Sequence, residues 1–75
     1  MLSAYAILIL LVVSSTGEQS TRIEYVERDN LIQSNLGVCN AMGEQRMFES
    51  LETLDETKEE IVAFRCIDVP ASKSF

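Results

Sequence analysis

The run Ala4-Tyr-Ala-Ile-Leu-Ile-Leu-Leu-Val-Val13 places ten apolar residues in succession, and its reading decides what the rest of the 75-residue chain can be. Its length fits the apolar region of a secretory signal, about 7–15 residues, and the small, polar segment Ser14-Ser-Thr-Gly17 follows it. Ser15 and Gly17 supply small residues at −3 and −1 for a cut before Glu18, and Val13 with Ser15 does so for a cut before Thr16. No cysteine follows the run, so no lipid attachment point is offered, and no Lys or Arg precedes it. That missing charge leaves a second reading, a retained membrane anchor. Seventeen uncharged residues at about 1.5 Å each span roughly 25 Å, against a hydrocarbon core of about 30 Å. A buried core helix is the weakest alternative, because the remaining chain is small for surrounding ten consecutive apolar residues. The expected organisation is therefore residues 1–17 as a signal peptide or uncleaved anchor helix and residues 18–75 as a small exported domain.

All the charge lies downstream of Gly17: twelve acids against six bases give −6. An acidic chain with no basic cluster is a poor nucleic-acid binder. There is no histidine, no Asn-x-Ser/Thr site, no phosphate-binding glycine loop and no nucleophile elbow. Cofactors and metals are not expected. Two cysteines without His or a C-x-x-C pair do not make a zinc set, and a catalytic cysteine would lack its usual base. In an exported domain an even cysteine count implies a structural disulfide, here Cys39–Cys66, and a domain this small benefits from a staple.

The local patterns give an α+β expectation: a small antiparallel sheet with one acidic helix. Thr21-Arg-Ile-Glu-Tyr-Val-Glu27 alternates with period two and reads as a strand. Asp29-Asn30 reads as a turn. Leu31-Ile32 and Leu36–Cys39 read as two short strands turning at Ser34-Asn35, with a helix from Glu24 to Leu36 as the competitor, and Gly43 as a breaker. The helix is expected over about 50–60, capped by Ser50, with Leu51, Leu54 and Ile61 on one stripe and the Lys58 stem completing it. Ile61–Val69 reads as a strand with Val62, Phe64 and Cys66 on one face, ended by Pro70. The tail 71–75 is expected to fray.

Two surface features remain. Glu49, Glu52, Asp55, Glu56, Glu59 and Glu60 place six acids in twelve residues, with Lys58 as the sole base. They form either a solvated helix face or a docking surface for a cationic protein partner. Met42, Met47 and Phe48 cluster around Gly43 as core packing or as an adaptable contact patch. Together these features describe a small secreted or periplasmic interaction protein that acts by binding and not by catalysis. The rival is a single-pass, membrane-anchored small subunit of a membrane complex, in which only the retained segment meets the membrane.

Overall fold

The computed structural model describes residues 3–27 and 34–70. The strands are β1 (Ser3–Ser14), β2 (Gln19–Val26) and β3 (Glu59–Pro70), and the helices are α1 (Asn35–Glu52) and the single turn α2 (Leu54–Thr57). The α+β class holds, with a three-stranded antiparallel sheet and one main helix. The expected N-terminal signal or anchor helix is not formed. Residues 3–14 of that segment build β1, the central strand of the order β2-β1-β3. The physical reason lies in the composition: Ile7, Ile9, Val12 and Val13 are β-branched and stiff at χ1, and a strand with a neighbour on each side satisfies every backbone group of an apolar run.

Along β1 the side chains alternate between two faces. Ala6, Leu8, Leu10 and Val12 lie under α1 at 0–2% exposure and, with Val26, Val38, Cys39 and Ile61, make the core. The opposite face carries rows set by the register. Ile7 sits between Tyr25 and Ile67, Ile9 between Ile23 and Arg65, and Leu11 between Thr21 and Ala63. Among the described residues no element lies over these rows.

Ser14-Ser-Thr-Gly17, the candidate processing site, is the β1–β2 hairpin turn. The Gly17 amide donates to the Ser14 carbonyl at 2.9 Å and the Ser14 amide to the Glu18 carbonyl at 2.9 Å. Gly17 adopts φ 88°, a left-handed conformation in which glycine avoids the Cβ penalty. The strand expected over Thr21–Glu27 is present as β2, one residue shorter at its C-terminal end, and the strand expected over Ile61–Val69 is present as β3.

The middle of the chain departs from expectation. Asn35–Glu52 is one helix, so neither the short strand at Leu36–Cys39 nor a helix from Glu24 forms, and the helix expected over about 50–60 is displaced toward the N-terminus. Ser34, read as a turn residue, is the N-cap, with its hydroxyl accepting from the Gly37 amide at 3.0 Å. Ser50 is buried in the last turn and is not a cap: its Oγ donates to the Met47 carbonyl and accepts from the Ile61 amide at 3.0 Å, beside the β-bulge opposite Leu11 and Val12. Lys58 completes no helix stripe, because it ends α2 in a left-handed conformation at φ 60°. The bulge also displaces Val62 from the face shared by Phe64 and Cys66, leaving it exposed. The turn expected at Asp29-Asn30, the strand at Leu31-Ile32 and the tail 71–75 lie outside the described residues.

Gly43 breaks nothing. It is buried within α1 and faces the ring of Phe64 on β3, so a Cβ there would collide with that ring. The glycine sets how closely helix and sheet approach. Alanine is the better helix former by about 1 kcal/mol, yet forcing a methyl into a packed contact costs about 1–3 kcal/mol. Gly43→Ala is therefore expected to lower the unfolding free energy, by about 1 kcal/mol in urea denaturation. A gain in stability would show that the ring swings aside without loss.

Candidate functional site

The two cysteines come from different elements and are bonded to each other. Cys39 lies on the buried face of α1, one turn after the Ser34 cap, and Cys66 on the helix-facing side of β3, opposite Leu8 of β1. Their Cα atoms are 6.1 Å apart, within the span a disulfide requires. The bond fastens α1 to the edge strand whose partner, β1, lies at the other end of the chain.

A second fastening holds the opposite edge. The Arg46 guanidinium donates through Nε to Oε2 of Glu24 at 3.0 Å and through Nη2 to Oε1 at 3.1 Å, a two-pronged bond from α1 to β2. Hydrogen bonding to Arg46 holds the Glu24 carboxyl below its ordinary range, against a smaller opposing effect of burial. Neither residue stands out in the sequence. What signals them in retrospect is β2 itself, whose alternation puts Arg22 and Glu24 on the same side as the helix.

The six acids expected as a docking surface fall into three settings. Glu49 is paired with Arg46 at 3.3 Å and Glu59 with Arg22 at 3.3 Å. Glu52, Asp55 and Glu56 are exposed around the α1–α2 junction, and Glu60 is half-buried on β3 opposite Val13. The paired acids line a cleft of about 160 Å³ with Arg22, Arg46 and Ser50, in which each guanidinium already has a carboxylate. No group of three or more metal-ligating side chains comes together among the described residues.

The methionine and phenylalanine cluster divides. Met42 and Met47 pack against the core, while Phe48 is 69% exposed. Phe48, Leu51, Met47 and Phe64 line an open apolar groove of about 550 Å³ between α1 and β3.

These features define a class: a small α+β domain with a single helix fastened to both edges of its sheet, by a disulfide at one and a bidentate ion pair at the other. No protein-family model matches the chain, and neither a curated protein nor a solved structure matches it.

Two outcomes follow from the fastenings. Closing a loop with a sequence separation of 27 removes unfolded-chain entropy worth about 3.6 kcal/mol in the loop-closure model. Cys39→Ser with Cys66→Ser is expected to cost about 2–4 kcal/mol in chemical denaturation, and an unchanged midpoint would show that packing alone holds α1 on β3. For the ion pair, a depressed folded pKa makes the Glu24 contribution present above its unfolded pKa and lost as pH falls through the folded value. With both side chains about a third exposed, Arg46→Ala should cost about 1 kcal/mol or less at neutral pH. The difference from the parent should shrink in acid. A difference that persists below the carboxylate range would assign the loss to packing of the arginine stem.

Proposed function

We propose that this chain is a small exported protein, secreted or periplasmic, that acts by binding a protein partner and not by catalysis. The observation that carries the export reading is the Cys39–Cys66 bond: both thiols of the chain are consumed in it, and such bonds persist in oxidising compartments. Support for binding over chemistry comes from the sequence, which has no histidine and no cysteine beyond these two. The exposed apolar groove between α1 and β3 and the acidic end at Glu52, Asp55 and Glu56 are the surfaces offered to the partner. The acidic end favours a cationic one and steers its approach over a Debye length of about 8 Å at physiological salt.

Export through a signal cut before Glu18 and the fold described above exclude one another. The cut removes β1 and with it four of the eight core residues, leaving β2 and β3 with no strand between them. The reading proposed here is export with residues 1–17 retained and Ser3–Ser14 serving as the central strand. Among the described residues no helix is long and apolar enough to cross a membrane, so the anchor helix of the rival reading has no counterpart in the fold.

Intact mass spectrometry of the protein from its native source, without reductant and after alkylation, tests this. The expected species carries residues 1–17, holds one intrachain bridge, and is found outside the cytosol. Two alkylatable cysteines would overturn the export reading. A chain beginning at Glu18 would restore the cleaved signal and require another fold for the mature protein.

A further inference from the structure

β1 is apolar at every position from Ala4 to Val13, the pattern of a strand buried on both faces, yet α1 covers only one of them. β2 makes the same point by its register. Its charged residues Arg22 and Glu24 are turned to the helix side, while Ile23 and Tyr25 point away from it and are 55% and 70% exposed. A slip of one residue would exchange the two sets. The hydrogen-bonded register instead assembles Tyr5, Ile7, Ile9, Ile23, Tyr25 and Ile67 on one outer face, with the two tyrosine rings in edge contact at 5.9 Å.

We infer that a second copy of this chain covers this face, giving a two-fold dimer of four layers, helix–sheet–sheet–helix. The area suffices. Nine residues of β1 from Tyr5 to Val13 at about 3.3 Å each, across three strands about 4.8 Å apart, give roughly 430 Å² in plan per copy. Side-chain relief adds to this, so two faces together reach the roughly 1,000 Å² that a specific interface needs. The charges also suit a like partner. Within the strands the outer face carries one cation, Arg65, and one anion, Glu60, so two copies meet without net repulsion although the chain carries −6. Glu52, Asp55 and Glu56, which make no ion pair among the described residues, sit at the α1–α2 junction, in the helix layer, which in a stacked dimer lies on the outside. A two-fold axis along the strands sets β3 of one copy over β2 of the other. By the register, Ile67 then lies over the partner's Tyr25, and Arg65, on the edge strand, over the partner's Ile23. An anionic bilayer is the less suitable cover, because the chain is acidic and the face presents a single base.

This inference rests on the fold and not on the export reading. Tyr5 and Tyr25 are the only tyrosines, the chain has no tryptophan, and both rings lie on the face in question, so intrinsic fluorescence reports on it without any substitution. The test uses the oxidised 75-residue chain in sedimentation equilibrium, with acrylamide quenching of tyrosine measured at the same concentrations. A dimer of twice 8.4 kDa is expected, with quenching that weakens as the dimer forms. Ile23→Lys with Tyr25→Lys, on an edge strand and already exposed in the single chain, should raise the dissociation constant at least 100-fold and leave the disulfide and circular dichroism unchanged. Phe48→Lys, in the groove on the other side of the sheet, should leave association unaltered. A chain that stays monomeric up to about 1 mM overturns the inference, as does a dimer whose tyrosines are quenched as fast as those of the monomer. Tyrosine protection appearing only on vesicles of phosphatidylcholine and phosphatidylglycerol would overturn it in favour of a bilayer.

Discussion

Everything in this fold depends on β1 being hydrogen-bonded on both sides. It pairs with β2 from Ala6–Val26 to Val13–Gln19 and with β3 from Ser3–Pro70 to Ser14–Glu59, so neither edge strand touches the other. Its buried side chains supply half of the core on which α1 rests. The two fastenings act on what β1 creates: the disulfide holds α1 to β3, the Arg46–Glu24 pair holds it to β2, and the space between is filled by Leu8 and Leu10.

The parts legible in the sequence are those whose signals are local. Period-two alternation identifies β2, β-branched and aromatic content identifies β3, and the cysteine arithmetic pairs the only two thiols. The departures from expectation share a different cause: each concerns a residue whose role is set by something distant. The apolar run reads equally as a secretory segment and as a strand with two neighbours, because periodicity is silent in a run with no polar residue. Gly43 reads as a breaker unless the Phe64 ring is known to lie against it, and helix propensity yields there to the packing of α1 on β3. Ser50 has the composition of a cap, but its hydroxyl is engaged by the Ile61 amide across the interface.

The candidate site was less legible than the fold. The acidic segment is visible as a charge run, but sequence gives no means of seeing that Glu49 and Glu59 are already matched with Arg46 and Arg22. The exposed position of Phe48 against the half-buried one of Met47, a single residue away, follows from the helix phase fixed by Cys39 and Val38 against the sheet. The outer face of the sheet is implicit in β2, where Ile23 and Tyr25 alternate with Arg22 and Glu24. Which side of that alternation meets the helix is decided only by the register against β1.

The topology also sets a schedule. Tyr5 pairs with Val69 and Leu8 with Cys66, so the first strand to be synthesised waits for the last before its second edge is filled. Closing contacts across nearly the whole chain makes for slow folding, and a ribosome adding about 5–20 residues per second needs several seconds to deliver β3. During that interval the ten-residue apolar run is at most one arm of a hairpin with β2, and a lone hairpin is marginal in water. The segment most hydrophobic in the chain is thus the one longest without a home, open to whatever cellular factors recognise nascent apolar stretches. The order of the strands gives those factors their time window, and the arrival of β3 closes it.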